Sequence, residues 1–338
     1  MEFNASPGLI VPPVQARPAQ YHGHTYYPIG MGSIRINSTP SFDLFLRPGP
    51  EQPFVLYCER NTPFAEEARR RLELSRIEML WVRQDDLHGY NLYVSDHLAS
   101  ILSDGAQSPA EKATILYDCA QAVVGEVLRQ PRSKEALARG KQIARHTVDY
   151  MTADDFKVEP LLRSLSSEYY LYTHSVNVAT YSIALAMRAG FGDQATLREI
   201  AHGALLHDIG ESMIDPEILN KPGNLSGAEW EIVRAHPEAG YRILHEMGNL
   251  GEIALDIVLH HHERLNGTGY PHQLREARIS PFVRMVTIAD IFDALTTDRF
   301  YQKRRSTFEA LSMMHKTMRG ELDPALLRAF TEILGLRP

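Results

Sequence analysis

Histidine and aspartate lie side by side at His207 and Asp208, where an apolar stretch ends. Ile200, Ala204 and His207 share one face at helical spacing, and Gly210 follows as a helix stop. An ionised carboxylate on an interior face is costly unless it is paired or bound to a cation. The pair therefore predicts an interior His–Asp hydrogen bond or a metal site, and partners further along the chain decide between the two.

Similar misplaced polar residues follow downstream. His236 precedes Pro237, which disfavours helical geometry in the residue before it, so His236 is expected where a helix ends. His261 lies on the inner face of a predicted helix that ends in the run HHHE, residues 260–263. Asp290 lies on an apolar stripe of the next predicted helix. One explanation covers these residues and the first pair, namely that they meet around metal.

The elements that must position these residues are predicted to be helices. From residue 159 onward the periodicity is almost wholly helical, and a helix over about 168–189 carries His174. Helix N-termini are indicated at Ser226, by a capping-box pattern, and at Ser280, which precedes a proline. Of the 15 histidines, ten lie from His174 onward, so chemistry is expected in this half of the chain.

The first half has a different pattern. Residues 1–22 are proline-rich and aperiodic, which indicates a flexible arm. Residues 23–105 are predicted to form a small α+β domain, with a helix from Thr62 to about Leu74 and five β-rich runs: YYPIG, SIRI, DLFL, FVLYC and MLWV. Apolar stripes over 106–152 predict a helical connector that packs within the domain or in a homodimer. The predicted fold class is mainly α, with an all-helical C-terminal domain over 153–338 and a smaller α+β N-terminal domain.

Composition and charge exclude several classes of function. A net charge of -7 and a pI near 6.1 argue against DNA as a partner. Cys58 and Cys119 are far apart, so neither a disulfide framework nor a thiolate metal site is indicated. The absence of an apolar run of 18 residues and of an export signal predicts a cytoplasmic protein without membrane insertion. Residues 23–105 group no metal ligands and no phosphate-binding glycines, so a sensory or protein-contact role is expected for them only by elimination.

Six blocks in order resemble the HD-GYP domain, a branch of the HD superfamily of metal-dependent phosphohydrolases. They are HSVNVA from His174, HDIG from His207, LNKPGNL from Leu219, AHPEAG from Ala235, HHERLNGTGYP from His261 and IADIFDALTTDR from Ile288. The resemblance covers roughly residues 155–338. No family is identified for residues 1–150.

The resemblance implies hydrolysis of cyclic di-GMP, a bacterial second messenger, to linear pGpG and in some members on to GMP. It also implies two divalent metals bridged by Asp208. One would be held by His174, His207, Asp208 and Asp290, and the other by Asp208, His236, His261 and His262. Iron or manganese suits imidazole and carboxylate ligands, and zinc also fits. Two such metals can bridge a hydroxide that attacks phosphorus, so no side-chain nucleophile is needed.

The chain departs from the family pattern near the proposed reaction centre. After HDIG the family usually has a lysine that helps to hold the substrate phosphate, and this chain has Glu211. A reversed charge beside a phosphodiester would weaken substrate binding, recruit another cation or point away. Members with a third metal carry a carboxylate where this chain has Tyr170, which favours two metals. The candidate catalytic residues are Asp208, the proposed bridge between the metals, and Glu211, which replaces the lysine.

The candidate substrate-binding residues lie in two later segments. Gly269 and Tyr270 belong to the intact GYP loop, and Arg299 and Lys303 follow the DALT block, where Gln302 replaces a basic residue of the family. Arginine makes forked contacts to phosphate, which glutamine does not.

Three functions remain open from the sequence. The first is a cyclic di-GMP phosphodiesterase regulated by its N-terminal domain. The second is a weakly active or inactive module that binds cyclic di-GMP, or that docks a diguanylate cyclase or other signalling proteins through the GYP loop. The third is a phosphodiesterase for another cyclic dinucleotide.

Overall fold

The computed structural model describes residues 18–49, 51–153, 156, 158–166, 170–248, 250–298 and 303–335. The chain divides into two compact units. The first comprises residues up to Gly125 together with Glu159–Ser164, and the second comprises Glu126–Val158 and the residues from Leu165 onward. No helix in the described part of the chain is both long and apolar enough to cross a membrane.

The first unit is built on a five-stranded antiparallel sheet in the order β1-β2-β5-β3-β4. The strands are β1 Ala19–Tyr21, β2 His24–Gly30, β3 Leu44–Leu46, β4 Val55–Cys58 and β5 Met79–Arg83. The helices of this part of the chain are α1 Glu66–Leu74, α2 Leu87–Leu102 and α3 Pro109–Arg129, the last of which enters the second unit at Glu126. Leu80 and Val82 of the central strand are fully buried, so the sheet supplies the core.

Three local predictions for this unit were wrong. The run SIRI, residues 33–36, is not a strand, because it begins at the end of a 3-10 turn over Met31–Ser33 and continues into a bend and a further turn. The first helix begins at Glu66 rather than Thr62, because Phe64 is buried and its backbone bonds to residues 37 and 38 instead of joining a helix. Ala19–Tyr21, placed in the predicted arm, pairs with β2. Residues 1–17 of that arm lie outside the described part of the chain.

The second unit is helical, as predicted. It begins with the end of α3 and with α4 Lys134–Met151. Helix α5 comprises Val158–Ser164, and its residues from Glu159 onward belong to the first unit. The remaining helices all belong to the second unit. They are α6 Leu171–Arg188, α7 Gln194–Leu206, α8 Pro216–Leu219, α9 Gly227–Arg234, α10 His236–Met247, α11 Glu252–His260, α12 Pro281–Thr296, α13 Thr307–Thr317 and α14 Pro324–Ile333. Helix α6 packs against α7 and α12, and α7 packs against α4 and α11. The core therefore lies around α6 and α7.

The predicted helix N-termini are confirmed at two places. Ser226 makes a capping box at the start of α9, and Ser280 caps α12. The prediction that the first of these helices runs to His236 was wrong. Helix α9 ends at Arg234, and His236 is the first residue of α10. Pro237 explains this, because proline is tolerated in the first turn of a helix and not in its interior.

Candidate metal centre

The His207–Asp208 pair lies where α7 gives way to a 3-10 turn over Ile209–Met213. His207 is fully buried and Asp208 nearly so. A side chain at Gly210 would collide with the carbonyl oxygen of His236 and lie 2.7 Å from the nitrogen of Gly240. The turn therefore lies directly against α10, and this close approach brings Asp208 to the first residue of that helix.

One group of candidate ligands joins α6, α7 and α12. His174, His207 and Asp290 are buried, and their ligand atoms lie within 4.8 Å of one another. His174 Nε2 is 3.3 Å from Asp290 Oδ1 and 3.6 Å from Asp208 Oδ2. His207 Nε2 is 3.1 Å from the same Asp208 oxygen.

A second group joins Asp208 to α10 and the end of α11. It contains Asp208, His236, His261 and His262, again with ligand atoms within 4.8 Å of one another. Asp208 Oδ1 is 3.2 Å from His236 Nε2 and 3.4 Å from His261 Nε2. The two oxygens of Asp208 therefore face different groups, which is the arrangement of a carboxylate that bridges two cations.

Backbone carbonyls orient three of the imidazoles. Each Nδ1 lies within hydrogen-bond distance of the carbonyl three residues earlier, so it carries the proton and Nε2 presents its lone pair to the centre. The pairs are His207 with Ala204 at 2.8 Å, His236 with Val233 at 2.7 Å and His261 with Val258 at 3.0 Å.

These lone pairs fit a metal better than they fit each other. His236 Nε2 and His261 Nε2 are only 3.2 Å apart, and in the neutral tautomers with Nδ1 protonated neither Nε2 has a hydrogen to donate. His207 Nε2 is buried and makes no hydrogen bond. A divalent cation in each group would satisfy these nitrogens and the Asp208 oxygens, since imidazole and carboxylate are ligands of zinc, iron and manganese.

The carboxylate of Asp293 contacts a ligand of the first group but is not itself one of the candidate ligands. Its Oδ2 lies 2.7 Å from His174 Nδ1, and its Oδ1 accepts a hydrogen bond of 2.7 Å from Asn177 Nδ2. Asp293 is 1% exposed. Sequence reasoning assigned it no function. Its spacing from Asp290, one helical turn, was the available signal.

The charges within the cluster shift the pKa values of its members. Burial alone would raise the pKa of Asp208, but His207 and the other imidazoles that contact it hold that pKa well below its usual range. Burial alone would lower the pKa of His174, but Asp290 and Asp293 raise it to about 10. The pKa of Glu211 is raised to about 7 by burial and by the charge of Asp208. Carboxylates and imidazoles of the cluster therefore stabilise one another's charge.

The other predicted site residues are placed less centrally. Glu211 is half-buried in the 3-10 turn and lies outside both ligand groups. The ring of Tyr270 lies 4.7 Å from that of His262, between centroids. Lys303 is exposed. Arg299 and Gln302 lie outside the described residues.

Two further residues show how the GYP loop is held. His260 lies outside both ligand groups and bonds Asp256 and His272, at 2.7 and 3.0 Å. It therefore faces its own helix and the loop. Buried Glu263 accepts hydrogen bonds from the backbone nitrogens of His272 and Leu274, which anchors the loop next to the candidate metal ligands.

Comparison with known proteins gives consistent results. The family model described as HD domain matches residues 159–326. The chain is 37% identical over 230 residues to a cyclic di-GMP phosphodiesterase of Pseudomonas aeruginosa. This match covers 67% of this chain and 55% of that protein. The chain is also 36% identical over 169 residues to the 3'3'-cGAMP-specific phosphodiesterase 3 of Vibrio cholerae, which covers 50% of this chain and 36% of that protein. The chain thus spans about half or less of the length of these relatives.

A solved structure supports the fold. An HDG"Y"P protein from Bdellovibrio bacteriovorus superposes with a TM-score of 0.64 at 23% sequence identity, covering 92% of this chain and 99% of that one. At this identity the likeness concerns the fold alone. The family match, the relatives and this fold agree with the six sequence blocks, and the chain, through residues 159–326, belongs to the HD domain family.

Proposed function

We propose that the chain is a metal-dependent phosphodiesterase that opens cyclic di-GMP to pGpG. This proposal rests on the carboxylate of Asp208, whose two oxygens each face a different group of imidazoles. The relatives named as cyclic di-GMP phosphodiesterases support the choice of substrate.

The chain's own residues would hold and orient the reacting groups. Asp208 would bridge two divalent ions, with His174, His207 and Asp290 on one side and His236, His261 and His262 on the other. When bound, such ions polarise phosphate oxygens and make a bound water more acidic. We propose that both ions are iron or both are manganese, because the ligand set contains imidazole and carboxylate and no thiolate. Asp293 would keep His174 in the tautomer that binds metal, and Arg299 and Lys303 would contact the substrate phosphates.

Glu211 favours a second candidate function. It is held beside Asp208, where its carboxylate, when ionised, opposes the approach of a phosphodiester. A module that holds metal and binds cyclic di-GMP, with slow turnover or none, would tolerate this residue. The relatives specific for 3'3'-cGAMP support a third candidate, in which another cyclic dinucleotide is cleaved.

The test is turnover of cyclic di-GMP by protein purified without oxygen and loaded with Fe(II) or Mn(II). We expect metal-dependent release of pGpG, measured by chromatography, and none from a His207→Ala/Asp208→Ala double variant. His245→Ala is the matched control, since His245 is exposed on the same helix as His236. Two bound metals without any product would refute the enzyme and support the binding module. Faster cleavage of 3'3'-cGAMP would support the third candidate.

We also propose that the first unit regulates the second. It contains a cavity of about 420 Å³, a volume typical of sites for small ligands. Its wall includes apolar Ile29, Met79 and Ile115 beside polar Asn91 and Thr114. A small molecule that binds there and changes the turnover of cyclic di-GMP would support this role. Turnover of cyclic di-GMP that stays the same when a molecule occupies this cavity would refute it.

A further inference from the structure

An exposed tryptophan lies close to the candidate metal ligands. Trp230 of α9 is 45% exposed, although large aromatic side chains are usually buried. Its ring meets that of Tyr270 edge to face, with 6.4 Å between centroids. The Tyr270 ring in turn lies 4.7 Å from the ring of His262, a candidate metal ligand. A row of rings therefore leads from the metal centre to the surface.

The middle ring of this row is held on several sides. The guanidinium carbon of Arg234 lies 5.0 Å from the centroid of the Tyr270 ring. Gly269 has no room for a side chain, because an added Cβ would lie 2.5 Å from the backbone of Glu263 and Arg264. The loop and its tyrosine are thus packed tightly, and they fix the distance between Trp230 and the metal ligands.

We propose that Trp230 is the platform on which one purine base of the cyclic dinucleotide stacks. This inference rests on the proposed function. A nucleotide whose phosphate lies at the metals carries its base one ribose away, in the region where the row of rings reaches the surface. Every base has a flat π face, and an exposed indole offers a matching one. Trp230 would then hold the substrate without taking part in the chemistry.

The same helix supplies a comparison. Ile232 is also exposed, at 46%, but residues two apart on a helix do not share a face. Ile232 therefore faces away from the row of rings. Truncating Ile232 therefore removes an exposed apolar side chain of α9 without touching that row, whereas base stacking requires Trp230.

The chain offers a direct optical test, because it contains only two tryptophans, Trp81 and Trp230. A Trp81→Phe variant leaves Trp230 as the sole reporter. In stopped-flow mixing of this metal-loaded variant with cyclic di-GMP, we expect quenching of tryptophan fluorescence that saturates before product forms. Dimethyl phosphate, a diester without a base, should cause none. Hydrolysis of cyclic di-GMP without quenching would overturn the inference while leaving the proposed function intact. Quenching without hydrolysis would support stacking and refute the enzyme.

A second measurement uses truncation. Trp230→Ala should raise the dissociation constant for cyclic di-GMP by roughly 5- to 150-fold, which corresponds to about 1–3 kcal/mol for loss of one stacked base. It should raise KM with little change in kcat, since the interaction is the same in the ground state and the transition state. Ile232→Ala is the matched control, expected within two-fold of the parent. Equal effects of the two variants on the dissociation constant would refute base stacking, because they would mean that any disturbance of α9 weakens binding.

Discussion

Replacing Asp293 with asparagine should weaken one metal site and spare the other. Each oxygen of Asp293 accepts one hydrogen bond of 2.7 Å, one from His174 Nδ1 and the other from Asn177 Nδ2. Asparagine has nearly the same shape but only one acceptor oxygen, so it can serve one donor and must turn its own N–H toward the other. A charge-assisted hydrogen bond to His174 is therefore lost or displaced, which costs about 1.5–3 kcal/mol.

This cost should appear in metal affinity. Loss of a residue that orients a ligating histidine typically lowers affinity about 10- to 100-fold, which agrees with the free energy of that hydrogen bond. Competition between Mn(II) and a fluorescent chelator would show two sites in the parent and one weakened site in Asp293→Asn. Asp256→Asn is the matched control, because Asp256 also pairs with a histidine, His260, that lies outside the ligand groups. Unchanged affinity at both sites in Asp293→Asn would refute the orienting role.

The remaining predictions concern stability and charge. Burial lowers the pKa of His202 to about 4. Between pH 6.5 and 4 this histidine therefore binds a proton in the unfolded chain and not in the folded one. The free energy of unfolding should fall by about 3 kcal/mol over this range. Urea unfolding at pH 7 and pH 4 should show this loss in the parent and not in His202→Leu; equal losses would contradict it. Gly210→Ala should lower the free energy of unfolding by about 1–3 kcal/mol or more, because the added carbon meets the backbone of α10, and an unchanged urea midpoint would contradict it. Glu211→Lys should lower KM for cyclic di-GMP about ten-fold, the equivalent of about 1.4 kcal/mol; a KM equal to that of the parent would show that Glu211 points away.

The candidate metal ligands could be predicted from sequence because they violate a pattern. A carboxylate on an apolar helical stripe, such as Asp290, is visible without a structure, and so is a run of three histidines at a helix end. Periodicity placed His261 on the inner face and the resemblance added His262; in the structure these two lie in one ligand group and His260 lies outside both.

Other features depend on tertiary packing and gave no sequence signal. Phe64 leaves the helical pattern because its backbone pairs with residues 37 and 38. Gly203 lets α7 approach α11, since a Cβ there would lie 2.9 Å from the Cα of Ala254. In sequence, Gly210 has the character of a helix stop, whereas in the fold its lack of a side chain is what allows the turn to touch α10. The role of Trp230 likewise depends on Tyr270, forty residues later in the chain.

The end of α7 explains how two adjacent residues can serve one centre. Neighbouring residues in a continuous helix do not face each other, so an unbroken α7 would direct Asp208 away from His207. The helix instead ends at Leu206, and Asp208 has non-helical backbone angles, with φ -96° and ψ 13°. The carboxylate then lies 3.1 Å from His207 Nε2 while its other oxygen reaches α10 and α11. Because a side chain at Gly210 would push this turn away from α10, Gly210→Ala should also move Asp208 away from His236.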